Sequence, residues 1–527
     1  MLITKHRLLN TLNLSTALTG SLIIAGSLIL SACGGDANSS GDTTAPVISH
    51  VSPNNNAVAH SRKVIITGQA IDDIEVKSVI VINREQTVIA TLSENTFSAT
   101  LAAIPGQNTY SVTVTDTSNN ETTSEASFYF GSQASAGGAH SGIIKDQRIY
   151  AWGRNNKGQT GIGAFTKLND DPVTATASHP IVPTLISVPS DTINAENGHR
   201  EETKFVSLAF NQNASSALDS NGQVWSWGDG KSGQLGLGIT DDNLIDDTNY
   251  TSPQKISGLA NVVAISRGGA HALLLTSDGT VLAFGNNRFG QLGDGSNISQ
   301  DSPVAVQGLT NIVQISASST SYALDEAGRL WAWGNNEYGQ LVTGGSDSDV
   351  HSTPTEITMD EPLISIASGN HHVLALTNSG KVYAWGKNTS SQIGMRPRDQ
   401  NSVSEIWDED IITPKLLPWF DDAIAVWAKG NQSFVQRRDG KIYPWGQNML
   451  GTLGIESDAN ITQPSSPILE LGKATDLGNG ALHTLAIRND GSLFSWGWSF
   501  EGSLGGGENM INRWSYKLPV LLSLPKN

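Results

Sequence analysis

Four histidines recur at one position of a phrase that the chain repeats, and an imidazole nitrogen is a common metal ligand. They are His140, His271, His372 and His483, whereas the other three repeats carry Ala214, Thr320 and Gln432 there. Equivalent residues in a ring of repeats lie on a circle, too far apart to share one ion at about 2 Å from each ligand. We therefore expect these imidazoles to satisfy backbone groups between repeats, and we expect no metal among them.

Three carboxylates of the amino-terminal part are candidates for binding a hard cation. Asp72, Asp73 and Asp116 stand in or beside turns, and Ca²⁺ prefers carboxylate oxygens. Asp is also a residue that turns use for their own hydrogen bonds. Both interpretations stay open, and we expect the turn role and no cofactor.

The chain carries no familiar catalytic or nucleotide-binding motif. Gly-x-Ser-x-Gly, a phosphate-binding loop and His-Glu-x-x-His are all absent from the sequence. The glycine-rich segments are turns of the repeat. We predict that the protein is not an enzyme, with an active site at the centre of the ring as the alternative.

The single cysteine, Cys33, follows Leu30, Ser31 and Ala32 at the end of an uncharged apolar run of 14 residues, 17–30. That length suits a signal peptide and is short for a membrane span, which needs about 20 residues. The ending resembles a bacterial lipobox, which implies that the Cys33 thiol is lipidated and the chain is cut before it. The absence of Asp directly after Cys33 favours the outer membrane. We predict a lipid-anchored protein of the cell envelope.

Charge and composition exclude several classes. The 527 residues include 32 Lys and Arg against 49 Asp and Glu, a net charge of −17, and binding of nucleic acid needs clustered cations. One cysteine excludes an intramolecular disulfide and a zinc thiolate cluster. The 54 glycines and only 15% charged residues favour a turn-rich, all-β protein. We expect a monomer with no nucleic-acid partner.

We predict four segments. Residues 1–32 are the lipoprotein signal peptide, 33–44 a flexible tether, 45–131 a small β-sandwich and 132–527 a repeat domain. Short apolar runs separated by turn residues predict the sandwich. The run at 104–122 resembles the closing hairpin of bacterial Ig-like domains, which implies a spacer.

The repeat domain contains one aromatic-Gly phrase seven times. The aromatic residues are Trp152, Trp227, Phe284, Trp333, Trp385, Trp445 and Trp496, spaced by 49 to 75 residues. A period near 50 in an all-β chain predicts the blades of a β-propeller, here with seven blades. A proline-led strand precedes each core except the first, and a last one, at Pro519, follows the final core. This displacement predicts that the last strand completes the first blade and closes the ring.

The segments 266–285 and 367–386, with Gly-Gln-Leu-Gly at 233–236 and 290–293, resemble the regulator-of-chromosome-condensation repeat. The resemblance covers about 395 residues. It departs at Val342, where a glycine is expected, and at Asp146-Gln147-Arg148, where an Asp-Gly turn is expected. It implies a β-propeller. Family precedents are guanine-nucleotide exchange on a small GTPase and secreted propellers that inhibit beta-lactamases, and no exchange residue can be mapped here.

Three long segments, 162–182, 237–252 and 395–413, occupy the same point of the repeat and should leave the same face. Repeat proteins place binding loops in this way. The candidate partner-binding residues are Asp241, Leu244, Ile245, Asp246, Trp407 and Asp408; unconstrained loop variation is the alternative. We predict a lipid-anchored binding protein whose propeller face engages another protein or a surface polymer. The alternatives are an inhibitor of a secreted enzyme, an exchange factor by family analogy, and an enzyme.

Overall fold

The structure is a computed structural model that describes residues 42–53, 55, 57–84, 86–163, 179–188, 192–193, 200–238, 249–395, 410–469 and 471–524. Cys33 and the candidate loop residues Asp241, Leu244, Ile245, Asp246, Trp407 and Asp408 lie outside the described residues. Thr44–Asn527 form one compact unit. Among the described residues, no helix has the length and apolar character needed to cross a bilayer.

Alternating side chains build the amino-terminal sandwich. Every second residue of Gly106–Asp116 is buried, because successive side chains of a strand point to opposite faces of its sheet. Val112 and Phe128 are fully buried between the two sheets. The strands are β1 (Val47–Ser52), β2 (Ala57–Ala59), β3 (Lys63–Ile71), β4 (Val76–Asn83), β5 (Thr87–Ile89), β6 (Thr91–Ser93), β7 (Thr96–Ala102), β8 (Gly106–Asp116) and β9 (Glu121–Phe130). They pair in the orders β1-β3-β7-β6 and β2-β9-β8-β4-β5.

The described part of the repeat domain forms seven antiparallel sheets of consecutive strands, one for each aromatic-Gly repeat. The first two, with a small hairpin between them, are β10 (Ala134–Ala136), β11 (His140–Lys145), β12 (Arg148–Gly153), β13 (Thr184–Leu185); β14 (Thr192–Ile193), β15 (Arg200–Glu201); β16 (Phe205–Phe210), β17 (Ala214–Asp219), β18 (Val224–Asp229) and β19 (Asn249–Lys255). The third and fourth are β20 (Val262–Arg267), β21 (His271–Thr276), β22 (Val281–Gly285), β23 (Gln300–Ala305); β24 (Ile312–Ala317), β25 (Thr320–Asp325), β26 (Leu330–Gly334) and β27 (Thr355–Ile357).

The last three sheets continue the pattern. They are β28 (Leu363–Ser368), β29 (His372–Thr377), β30 (Val382–Gly386), β31 (Ile411–Leu416); β32 (Ala423–Lys429), β33 (Gln432–Arg437), β34 (Ile442–Gly446); β35 (Ala474–Asn479), β36 (His483–Arg488), β37 (Leu493–Trp498) and β38 (Ser515–Leu522). In the sixth sheet Ile461 bridges Gly446, where the other sheets have a fourth strand. Two 3-10 turns, Met449–Gly451 and Phe500–Gly502, and one helical turn, α1 (Glu508–Ile511), lie in the turns of the last two sheets.

A tryptophan joins each sheet to its neighbour. The six repeat tryptophans are completely buried, and a buried indole N–H needs an acceptor. Trp333 Nε1 donates to the Gln291 carbonyl of the preceding turn at 2.9 Å. Gly293 of that turn has φ +68°, and a Cβ there would lie 2.7 Å from Trp333 Nε1. The Gly-Gln-Leu-Gly turn and the tryptophan are therefore two halves of one joint.

The third sheet replaces this joint. Phe284 stands in place of the tryptophan and has no N–H to donate, so the Gln234 carbonyl lacks the usual indole donor. Arg267 fills the place: its guanidinium donates to the Gln234 carbonyl at 2.6 Å and to Ser216 Oγ at 2.6 Å. A cation thus substitutes for an indole at one of the joints.

The ring closes differently from the sequence expectation. Strand β38 pairs with β37 and completes the seventh sheet, so the prediction that the last strand completes the first blade is wrong. Each outer strand follows its own core along the chain and pairs with the nearest free edge. The seam between the first and seventh sheets is held by side chains: Asp476 Oδ2 accepts the N–H groups of Gln133 at 2.7 Å and Ala134 at 3.1 Å.

The sandwich packs on the face where the first strand of each sheet begins, here called the sandwich face. Tyr129 Oη donates to the Val206 carbonyl at 2.9 Å, and Lys63 Nζ to the Glu326 carbonyl at 2.7 Å. Connections from the third to the fourth strand leave the opposite face, here called the loop face. The segments 162–182, 237–252 and 395–413 are all connections of this kind.

Asp476→Ala tests the seam. The change leaves two buried N–H groups without an acceptor, and we expect a loss of roughly 2–5 kcal/mol in the free energy of unfolding. Denaturant titration measures it. Asp490→Ala, which removes an exposed turn carboxylate of the same sheet, is the control and should cost under about 1 kcal/mol. Equal losses in the two variants would contradict the assigned role of Asp476.

Candidate functional site

A cavity lies on the axis of the repeat domain. Its volume is about 200 Å³, and the first strand of every sheet contributes to its wall. His60, Phe130 and Ser132 line it from the sandwich face. The sandwich therefore reaches the central channel from one side. The charged or titratable residues of its described lining are His60, Arg267 and Lys429.

His60 and Asp476 meet near the sandwich end of this cavity. His60 Nε2 lies 3.9 Å from Asp476 Oδ1, and the His60 ring packs edge-on against Trp427 at 6.2 Å. Burial lowers the pKa of His60 and raises the pKa of Asp476, because a buried site disfavours charge on either group. The pair contacts both the sandwich and the seventh sheet and belongs to their junction.

The four repeat histidines form hydrogen bonds between sheets. In each case Nε2 meets the hydroxyl of a serine on the next sheet. The pairs are His140–Ser215 at 2.9 Å, His271–Ser321 at 2.8 Å, His372–Ser433 at 2.8 Å and His483–Ser141 at 2.7 Å. Ser321 Oγ in turn donates to the Gln291 carbonyl at 2.7 Å, so the imidazole is the donor to the serine. The bond is to a hydroxyl, where the sequence predicted backbone groups.

These imidazoles are neutral. Burial lowers the pKa of His140, His271 and His372 to about 3 and that of His483 to about 4. The sequence contains a signal for this arrangement. A serine follows the histidine position in the repeat after each histidine, whereas Ala272, Val373 and Thr484 stand there after the repeats without one.

Three aromatic rings stand in a row at the loop face of the seventh sheet. The rings of Trp498 and Phe500 are 5.2 Å apart and those of Phe500 and Trp514 are 6.3 Å apart, with interplanar angles of 24° and 13°. Trp514 is 76% exposed and Phe500 39% exposed. Exposed clusters of large aromatic side chains mark interaction sites, where Trp often dominates the binding energy. Trp498, Phe500 and Trp514 are here called the aromatic row.

Neighbouring turns of the loop face differ in chemistry. Met449, in the corresponding turn of the sixth sheet, is 48% exposed. In the fourth sheet Tyr338 lies beneath Lys387 Nζ at 4.2 Å from the ring centre and also packs against His371. The face thus combines an apolar sector around the aromatic row with cationic and polar sectors elsewhere.

The calcium candidates are partly brought together. Asp72 and Asp116 have carboxylate oxygens within 4.8 Å of each other, while Asp73 is exposed and is not part of that group. Asp72 accepts the N–H groups of Ile74 and Glu75, and Asp116 accepts the Asn120 N–H at 2.8 Å. These are turn roles, and calcium binding stays the untested alternative.

Seven antiparallel sheets around an axial cavity, with a tryptophan at most of the joints, define a β-propeller. A family model described as RCC1-like domain matches residues 106–421, and the chain belongs to that family. A model described as IPT/TIG domain matches residues 46–130, which is the Ig-like sandwich. The first match begins inside the sandwich, at β8, whereas the strands of the propeller run from Ala134 to Leu522.

Several curated proteins are similar to this chain. Human E3 ubiquitin-protein ligase HERC2 is 27% identical over 392 residues, which are 72% of this chain and 7% of that protein. Ultraviolet-B receptor UVR8 of Arabidopsis thaliana is 27% identical over 71% of this chain and 79% of its own length. Human Regulator of chromosome condensation is 29% identical over 57% and 73%. Because one of these proteins is a ligase, the expectation of a non-enzyme stays a prediction.

Two solved structures show the same fold. Yeast RCC1 (Prp20), bound to Kap60, has a TM-score of 0.58 and 21% identity, covering 74% of this chain and 85% of that one. Human WBSCR16 has a TM-score of 0.54 and 22% identity, covering 72% and 95%. These similarities establish the propeller architecture.

The neutral histidines make stability depend on pH. Below pH about 6.5 the unfolded chain protonates these imidazoles, while the folded chain binds their protons only near pH 3–4. The unfolded state then binds more protons, so stability falls as the pH falls. Asp476 has the opposite effect, because its raised pKa lets the folded state bind a proton that the unfolded state does not. This effect amounts to at most one proton.

We expect His271→Gln to reduce the slope of the free energy of unfolding between pH 6 and 4 by about 1.4 kcal/mol per pH unit. Denaturant titration at several pH values measures the slope. The chain itself places a glutamine, Gln432, at this repeat position. Gln432→Ala is the control and should shift stability without changing the slope. A slope unaffected by His271→Gln would contradict the neutral, buried state.

Proposed function

We propose that this protein is a lipid-anchored binding protein of the cell envelope whose loop face engages another protein. The exposed aromatic row is the observation that carries the proposal. Trp514 is 76% exposed, so the free protein keeps a large apolar surface in contact with water, which is unfavourable. Burial of that surface against a partner would stabilise the complex. The long loops of the sequence analysis would join the same interface.

The position of the sandwich supports the choice of face. Tyr129 and Lys63 hold it on the sandwich face, which leaves the loop face as the broad surface for a partner. Trp498 and Phe500 stack on each other, so little side-chain entropy is lost when a partner covers them. Stacked, rigid aromatic rings are typical of binding hot spots.

Trp514→Ala and Phe500→Ala test the face. The bait is the chain from residue 34 onward, incubated with envelope extract, and captured proteins are identified and then titrated in purified form. We expect each variant to weaken binding at least tenfold, or about 1.4 kcal/mol. Trp514→Ala should change the free energy of unfolding by less than about 0.5 kcal/mol.

Leu469→Ala is the matched control, because Leu469 is 87% exposed and lies in a connection on the sandwich face. It should leave binding unchanged. A partner bound equally by Trp514→Ala and by the unmodified chain would contradict the proposed face. Capture of a surface polysaccharide, of an enzyme that loses activity in the complex, or of a GTP-binding protein would point to the surface-polymer, inhibitor or exchange-factor alternative.

Cys33→Ala tests the anchor. Without a thiol at residue 33 the chain has no acceptor for the lipid, and we expect the protein to move from the membrane fraction to the soluble fraction and to lose incorporation of labelled fatty acid. Ser40→Ala, in the predicted tether, is the control and should stay with the membrane. A Cys33→Ala protein that still carries the label would overturn the proposed lipidation site.

A further inference from the structure

Two cations line the axial cavity from different sheets. Arg267 ends β20 of the third sheet and Lys429 ends β32 of the sixth. Sheets three places apart in a ring of seven face each other across the axis, so both charges act on the space between them. The described lining of the cavity contains no Asp or Glu, although the chain has a net charge of −17.

Arg267 has a structural reason to be there, and Lys429 does not. The guanidinium of Arg267 is bound to Ser216 and to the Gln234 carbonyl, as described above. Within the part of the chain that the structure describes, Lys429 has no such partner. Burial and then the positive charge of Arg267 both lower its pKa. Lys429 is half-buried in the wall of the cavity, where its ammonium group is only partly hydrated, and an anion in the cavity would offset that cost.

Further donors in the same cavity lack acceptors. Within the described part of the chain, Trp427 Nε1 and Arg267 Nε are buried and have no hydrogen-bond partner. Both residues line the cavity, and Trp427 is 7% exposed. His60 Nε2, which lies 3.9 Å from Asp476 Oδ1, and Asn479 Oδ1 also have no hydrogen-bond partner among the described residues. Three of these four atoms are nitrogens, and a ligand rich in acceptor oxygens would satisfy them.

We propose that the axial cavity is a binding site for an oxyanion, a phosphate or carboxylate group, held by Lys429 Nζ within the field of Arg267 and with Trp427 Nε1 as a further donor. A volume of about 200 Å³ is below the range of about 300–1,000 Å³ of drug-sized pockets and suits an anion of a few atoms. Walls of low polarizability concentrate the field of the two cations on such an anion.

The site is predicted to depend on pH. The pKa of Lys429 is lowered to about 8, so the empty site loses its ammonium charge above that pH. His60 does not compensate, because burial lowers its pKa and leaves it neutral there. Burial also lowers the pKa of Arg267, to about 9, so Arg267 keeps its charge to a higher pH than Lys429 does. The affinity for acetate, whose own charge is constant in this range, should therefore be steady near pH 7, fall above pH 8 and fall more steeply above pH 9.

The experiment titrates the chain from residue 34 onward with phosphate and with acetate by calorimetry, at constant ionic strength set with chloride. Thermal unfolding is followed in parallel, because a ligand of the folded state raises the Tm. We expect binding by the unmodified chain and at least a tenfold loss of affinity in Lys429→Met. Lys429→Arg, which keeps the charge, should retain binding.

Lys441→Met is the matched control, because Lys441 is exposed and paired with Asp439 at 3.1 Å, outside the cavity. It should bind as the unmodified chain does. A second arm uses a terminally blocked Gly-Glu-Gly peptide. Binding of the peptide alone, sensitive to Lys429→Met, would assign the same site to the carboxylate of a partner protein. Absence of binding by all three probes, or equal binding by a folded Lys429→Met, would overturn the proposal.

Discussion

A single backbone carbonyl in each turn carries the joint between two sheets. The Gln291 carbonyl accepts both the Trp333 indole and the Ser321 hydroxyl, which uses both of its lone pairs. Ser321 is then available to His271. Because this chain of donors runs from sheet to sheet, one joint explains why tryptophan, serine, a glycine-rich turn and a neutral histidine recur together. Where Phe284 breaks the chain, Arg267 restores a donor.

Rigid joints leave the exposed turn residues free to vary. The residues before the first turn glycine are Arg288 and Phe289 in one repeat and Phe500 and Glu501 in another, although the backbone hydrogen bonds of both turns are the same in kind. The ring therefore fixes the positions of the turns. The charge and polarity of the loop face are set by turn side chains that contribute little to folding. This division fits a family whose members share an architecture and differ in what they bind.

Much of the fold was predictable because the aromatic-Gly phrase recurs in the sequence at a spacing typical of propeller blades. The backbone conformation of the repeat is retained even where the sequence departs from it. Val342, Asp146 and Gln147 stand where glycine is expected, and they adopt positive φ values of 60°, 51° and 62°. The closure of the ring was not predictable, since an outer strand can pair with its own sheet or with the first, and spacing alone fits both.

The sites were harder to predict for a different reason. Trp498 and Trp514 lie outside the repeated phrase, so no periodicity selects them. Arg267 and Lys429 each end the first strand of a sheet but stand one position apart in the repeat, so the period does not select them as a pair. Which charges line the cavity depends on what seven separate strands contribute to it.

The way the sandwich is attached also decides how the molecule carries a mechanical load. A pull on the amino terminus reaches the sandwich before it reaches Gln133, where the first sheet begins. Tyr129 transmits part of that tension to the second sheet and Lys63 part of it to the fourth. The tension is divided around the ring, and the seam at Asp476, which no shared strand reinforces, bears only a fraction of it.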